Sequence, residues 1–186
     1  MTRALLPLAD GVEEMEAVIL ADVLRRARWE VILASVGTQP LVTASRGVRL
    51  LADALWDSVR PETFDVLVIP GGGAGAAALA RHAGVLRAVR DFEASGKPVA
   101  AICAGPLVLQ AAGVLKGRRA TCHPGVAAEL TQAVRVAERV VADGCLLTSV
   151  GPGSTFELAL ALIEHVSGRA ERDRVAEGLV LPPGCG

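Results

Sequence analysis

Residues 65–69 read as a strand that is apolar at every position after Asp65, and the run stops at Pro70-Gly71-Gly72-Gly73. Successive side chains of an extended chain point to opposite faces, so a run without alternation needs cover on both sides. That requirement leaves few architectures open. Residues 99–103 (Val-Ala-Ala-Ile-Cys) repeat the pattern, and residues 3–9 and 30–36 are apolar enough to share it. Between these runs lie segments whose apolar residues follow helical spacing, at 13–29, 84–94 and 106–115, with a shorter one at 76–80. Strands alternating with helices specify an α/β fold: a mostly parallel central sheet with helices on both faces. Two hairpins interrupt the alternation. Arg46-Gly47 sits between β-type runs in residues 41–53, and Asp143-Gly144 does so in residues 139–149. Residues 119–122 read as a short strand. Ser154-Thr155-Phe156-Glu157 reads as a capping box before an apolar helix at 158–166, and a last helix covers 170–177. No linker, repeat or low-complexity segment divides the chain, so residues 1–186 are expected to form one domain.

Composition excludes several functions. The formal net charge is -1, which gives no electrostatic footprint for nucleic acid. No apolar stretch approaches the roughly 20 residues of a membrane helix. The first residues carry one Arg and a very short apolar run before the acidic stretch 10–16, unlike a signal peptide. The expected location is the cytoplasm. The four cysteines, Cys103, Cys122, Cys145 and Cys185, form no C-x-x-C pair, and His123 beside Cys122 has no partner at metal spacing. Neither a metal site nor a disulfide framework is expected.

Ligands of an open parallel sheet sit outside the carboxyl ends of its strands. Three loops fall there, at residues 10–16, 71–75 and 103–106. The glycine run at 71–73 lacks the Lys-Ser/Thr ending of a phosphate loop and does not match a dinucleotide fingerprint. Glycines end strands for steric reasons alone, yet their N–H groups could also stabilise an oxyanion. Cys103 stands at a strand-to-helix turn. It is either a small buried apolar residue or a thiol whose pKa is lowered by the following N–H groups and the helix N-terminus. Glu13-Glu14-Met15-Glu16 is either a solvated first helical turn or a turn with one carboxylate facing inward, since three such positions cannot all point outward. His123, after a short strand, is a third candidate, although a lone His is more often structural. His82 and His165 read as surface residues, and Cys145 and Cys185 as ordinary thiols.

Six stretches in order along the chain resemble the DJ-1/ThiJ/PfpI superfamily, and within it the DJ-1 branch. They are "DGVEEMEAV" (10–18), "SRGVRLLADA" (45–54), "DVLVIPGG" (65–72), "AAICAGP" (100–106), "CHP" (122–124) and "LLTSVGPGSTFELALALIE" (146–164). The resemblance implies a flavodoxin-like three-layer sandwich and a homodimer. It places Cys103 on the family's reactive cysteine, Glu16 on the carboxyl that hydrogen-bonds it, and His123 on the nearby histidine. Gly72 and Ala104 fall where backbone N–H groups face the pocket. Three positions depart from relatives. Ala104 stands where the protease-like branch has its base, Leu51 where some relatives carry a peripheral cysteine, and Gly73 where a larger residue is common.

The resemblance implies cofactor-independent conversion of methylglyoxal or glyoxal to a hydroxy acid, or action on early glycation adducts, through Cys103 and Glu16. A small dicarbonyl or glycated molecule is then the substrate. The alternatives are an oxidative-stress sensor or redox-regulated chaperone using a Cys103 sulfinate, and a thiamin-related role, for which no phosphate-binding motif is present.

Overall fold

A computed structural model describes residues 1–182. Its elements in chain order are β1 (Arg3–Leu8), α1 (Glu14–Arg26), β2 (Glu30–Ser35), β3 (Leu41–Thr43), β4 (Arg49–Leu51), β5 (Ala54–Leu55), β6 (Val66–Ile69), α2 (Gly73–Leu79), α3 (Ala83–Ala94), β7 (Val99–Ile102), α4 (Pro106–Ala111), β8 (Arg119–Ala120), β9 (Val134–Arg135), β10 (Val140–Asp143), β11 (Leu146–Ser149), α5 (Thr155–Ser167) and α6 (Arg169–Leu179). Seven strands form one sheet in the order β10-β11-β7-β6-β1-β2-β5. Only β10–β11 is antiparallel among its neighbours; the other pairs are parallel.

The continuous apolar strands divide their residues between two cores. Leu5, Leu67, Ile69, Val99 and Ala101 point to one face, where Leu79 of α2, Phe92 of α3 and Leu109 of α4 pack on them. Leu6, Val66, Val68, Ala100 and Ile102 point to the other, against Leu20 and Leu24 of α1, Ile163 of α5 and Val175 of α6. The period of two thus separates alternate residues into two helical layers, and the result is a flavodoxin-like three-layer sandwich. No helix among the described residues is long and apolar enough to cross a membrane.

The chain leaves β1 for β2 on one side and later returns to β6 on the other. The strand order therefore reverses between β1 and β6, and the loops after β1, β6 and β7 converge at that point.

Several elements differ from the sequence expectation. α2 begins at Gly73, because its Gly-Ala run carries no apolar period that marks a start. α4 ends at Ala111, four residues before position 115, and Gly113 follows at φ 84, outside helical geometry. The expected capping box does not form. Ser154 Oγ is occupied by Ser149 Oγ at 2.6 Å and by the Gly151 carbonyl at 2.9 Å, while Glu157 pairs with Arg139 at 2.8 Å. The strand expected at 119–122 spans only β8, which pairs in parallel with β9. His82 is not a plain surface residue: its Nδ1 accepts the Val85 N–H at 3.2 Å and caps α3, and its ring stands edge-on to Trp56.

The β3–β4 hairpin is an arm held down in two ways. Val42, Ala44 and Ala52 pack on Leu8, Val12 and Ala17. The Glu14 carboxylate accepts the Ser45 hydroxyl at 2.7 Å and the Arg46 N–H at 2.8 Å. Glu14→Ala should loosen the arm tip while the packed base stays in place. Tryptic cleavage after Arg46 or Arg49 is expected to run several-fold faster than in the wild type, with unchanged far-UV circular dichroism. Equal cleavage rates would show that the packing alone holds the arm.

Candidate active site

Cys103 is the first residue beyond β7 and takes φ 62, the left-handed region that residues with a side chain rarely enter. Such a conformation costs on the order of 1–3 kcal/mol and persists only when its surroundings enforce it. Here the backbone is pinned on both sides: the Cys103 N–H donates to the Ser149 carbonyl at 2.9 Å, and the Cys103 carbonyl accepts the His123 N–H at 2.9 Å. The turn closes through Gly105 N–H to the Ile102 carbonyl at 2.7 Å. A Cβ on Gly105 would lie 2.7 Å from the Ile69 carbonyl oxygen, so the turn presses against the end of β6.

The three glutamates of the first α1 turn do different work. Glu13 is the N-cap, its Oε2 accepting the Glu16 N–H at 2.8 Å. Glu14 holds the arm. Glu16 is fully buried and reaches under the strand ends, where its Oε2 accepts the Gly71 N–H at 2.7 Å. Only Met15 turns outward, at 53% exposure. Gly71 leaves the space between the thiol and the carboxyl open by having no side chain. A Cβ there would sit 2.5 Å from the Cys103 Cβ and 2.7 Å from Glu16 Oε2.

Glu16 Oε1 is buried without a hydrogen-bonding partner of its own, and the Cys103 thiol is the neighbouring titratable group. Burial, opposed by the Gly71 N–H, pushes the Glu16 carboxyl up to about 7. Burial first, and then the charge on Glu16, push the Cys103 thiol up to about 12, while the N–H groups of Gly72 and Ala104 pull it down. The N–H groups of the turn pull the thiol down as the sequence suggests, and burial, which the turn alone does not reveal, opposes them. α4 is only 6 residues long, too short for a large dipole, and desolvation outweighs it. Two negative charges are poorly accommodated together in so dry a place, so the second ionisation of the pair is pushed well above the first.

Above the pair lies a cavity of about 310 Å³ lined by Ser45, Arg46, Gly72, Gly73, Cys103, Ala104 and His123, among others. The structure therefore brings Cys103, Glu16, Gly72 and Ala104 into contact and sets His123 at the rim. His123 is exposed, and its Nδ1 accepts the Gly125 N–H at 3.0 Å, which leaves Nε2 as the free position. Cys103, Cys122 and Cys145 are free thiols; Cys122 is buried, and burial raises both Cys122 and Cys145. Cys185 lies outside the described residues. Sequence reading did not single out Ser149 or Gly71. Ser149 acts through its carbonyl from 46 residues away in the chain, which leaves no local signal, and Gly71 was hidden in a run of three glycines.

A model of the DJ-1/PfpI family matches residues 2–165. The chain belongs to this family. It falls in the DJ-1 branch: protein DJ-1 homolog B of Arabidopsis thaliana is 45% identical over 168 residues, covering 90% of this chain and 38% of the plant protein. The chain spans about two fifths of the length of that relative and of Arabidopsis DJ-1 homolog A. The crystal structure of Drosophila melanogaster DJ-1beta matches with a TM-score of 0.94 at 40% identity, covering 97% of this chain and 98% of that one. A Caenorhabditis elegans relative named glutathione-independent glyoxalase DJR-1.2 is 35% identical, covering 95% of this chain and 94% of the nematode protein.

Two predictions follow from the buried pair of this DJ-1 family member. The fold raises the Glu16 carboxyl from its ordinary 4.5 to about 7, so it favours the neutral acid. Stability present below pH 4.5 is then lost as the pH rises through 7. Glu16→Gln removes this titration and keeps an acceptor for Gly71. Chemical denaturation should find the variant more stable at pH 8 by on the order of 2–3 kcal/mol, with the gap shrinking toward pH 4. A gap independent of pH would mean Glu16 is not held neutral.

The second prediction compares Glu16→Gln with Glu16→Leu. Gln offers an N–H to a thiolate and Leu offers nothing, and a bond to a charged group contributes about 1.5–3 kcal/mol. Alkylation of Cys103 against pH should therefore report a thiol pKa about one to two units lower in the Gln variant, at 1.36 kcal/mol per unit. Identical profiles would show that side chain 16 does not touch the sulfur.

Proposed function

We propose that this protein is a cofactor-independent glyoxalase that converts methylglyoxal or glyoxal to a 2-hydroxy acid through Cys103 and Glu16, with early glycation adducts as a related substrate class. The observation that carries the reading is the buried Glu16 carboxyl beside the Cys103 thiol, with one oxygen held by the Gly71 N–H. A carboxyl near pH 7 suits a group that must both take and return a proton at neutral pH. The glyoxalase name of the nematode relative supports the same reaction class.

The steps balance without an external oxidant. The sulfur of Cys103 adds to the aldehyde carbon as Glu16 takes the thiol proton, so an S–C bond forms and the C=O π bond opens to an alkoxide. The N–H groups of Gly72 and Ala104 stabilise that oxygen, and Glu16 returns the proton to give a hemithioacetal. Glu16 then removes the hydrogen on that carbon as a proton and delivers it to the adjacent carbonyl carbon by way of an enediol, while the hydroxyl proton of the hemithioacetal passes to the adjacent oxygen. The aldehyde carbon is oxidised to a thioester while its neighbour is reduced to an alcohol. Water cleaves the thioester, freeing the hydroxy acid and the Cys103 thiol. His123 lies at the exposed rim of the same pocket.

Purified protein given methylglyoxal should form lactate over many turnovers. Cys103→Ala should abolish this, and Glu16→Gln should lower kcat by about 10²–10⁴-fold. Absence of turnover, together with selective oxidation of Cys103 by mild peroxide, would favour the redox-sensor reading instead.

We also propose that two copies associate through α1 and the arm. Met15 and Val18 on α1 are 53% and 50% exposed, and Val48 and Leu51 on the arm are 47% and 71% exposed. Exposed apolar side chains on neighbouring elements call for cover. Sedimentation at micromolar concentration should give twice the chain mass, and a monomer there would refute the association.

A further inference from the structure

The glycines around Cys103 are not equivalent. Gly71 has no room for a Cβ, Gly72 takes φ 87 against the Gly11 and Glu13 backbone, and a Cβ on Gly75 would lie 2.7 Å from the Val12 nitrogen. Gly73 is different. Its backbone lies outside the left-handed region, and a Cβ there meets nothing within 4 Å. Neither conformation nor crowding requires a glycine at this position. It also begins α2, where glycine stabilises a helix less than alanine would. What position 73 does have is its place between two cavities. It lines the 310 Å³ pocket over Cys103, and it lines a second depression of about 390 Å³ between α2 and α4. Gly73, Ala104 and Val126 border both. Ala76, Ala77, Ala80 and Leu107 give the second depression an apolar strip next to Gly73, and Arg81, Gln110 and Glu129 also line it.

We propose that Gly73 is a specificity-determining position: by carrying no side chain it opens the Cys103 pocket into the α2–α4 groove, which receives the apolar substituent of a 2-oxoaldehyde larger than methylglyoxal. The inference rests on the glyoxalase reading for its substrate class but not for its geometry. The aldehyde carbon sits at Cys103 and the substituent passes over Gly73 onto Ala77 and Ala80. Phenylglyoxal, which carries a phenyl ring in place of a methyl group, is the matching probe.

The experiment measures kcat/KM for phenylglyoxal and methylglyoxal in the wild type, in Gly73→Leu, which fills the junction, and in Ala77→Leu, which fills the groove beyond it. In parallel, Cys103 is alkylated with iodoacetamide and with 2-iodo-N-phenylacetamide, which share a reactive carbon and differ by the phenyl tail. In both variants the phenylglyoxal-to-methylglyoxal ratio should fall at least about tenfold, the scale of discrimination that one or two apolar groups in a pocket provide. The ratio of the two alkylation rates should fall in the same direction. Because alkylation needs no turnover, the two readings fail separately. If neither dicarbonyl is consumed but the alkylation ratio still falls, the glyoxalase reading is wrong and the groove stands. If both ratios stay at their wild-type values in Ala77→Leu and Gly73→Leu, the groove is no substrate subsite and the inference is overturned.

Discussion

The hydrogen bond from the Gly71 N–H to Glu16 Oε2, 2.7 Å long and fully buried, ties the first helix to the end of β6 and sets the chemistry of the centre. It occupies one carboxyl oxygen and leaves the other facing sulfur. It also demands that residue 71 have no side chain, because a Cβ would meet Cys103 and Glu16 together. The sandwich supplies the rest of the geometry. β1 and β6 are neighbours, so the loops after them meet, and β7 on the far side of β6 delivers Cys103 to the same place. A single missing side chain therefore lets three segments converge within bonding distance.

That convergence costs stability in two ways. Cys103 is held at φ 62, and Glu16 is buried where its charged form is poorly solvated. Both costs are local, and both are offset by a sheet buried on two faces and by backbone bonds from Ser149 and His123 that leave Cys103 no other conformation. The electrostatic result differs from what a helix N-terminus alone would produce. Burial raises both groups, so the carboxyl and the thiol titrate as a coupled pair. In the proposed reaction this favours attack coupled to proton transfer, since the sulfur gains its charge as the carboxyl loses its own.

Much of this was legible in the sequence, for identifiable reasons. Continuous apolar strands such as Val66–Ile69 report burial on both faces, and burial on both faces in an α/β pattern leaves one sandwich. The acidic turn at 13–16 carried the logic of an inward carboxylate, because helical geometry cannot expose all of it. What stayed hidden depends on distant partners. The Ser154 hydroxyl went to Ser149 instead of capping its helix, β8 found β9, and the twist at Cys103 is imposed by β11. The sign of the thiol shift was hidden for the same reason. The dipole of a helix is a local property, whereas desolvation is set by everything that packs above it.

The glycines show how such a loop divides its labour. Where contacts leave no room, as at 71, or where φ is positive, as at 72, glycine is the condition for the site to exist, and a substitution there removes fold and chemistry together. Where space is open, as at 73, glycine is a choice among many residues the backbone would accept. Only the second kind of position can change the shape of the pocket while the carboxyl–thiol pair stays in place. Within a scaffold whose centre is so tightly determined, the shape of the pocket mouth can therefore vary at positions like 73, on the edge between a fixed pocket and an adjacent groove.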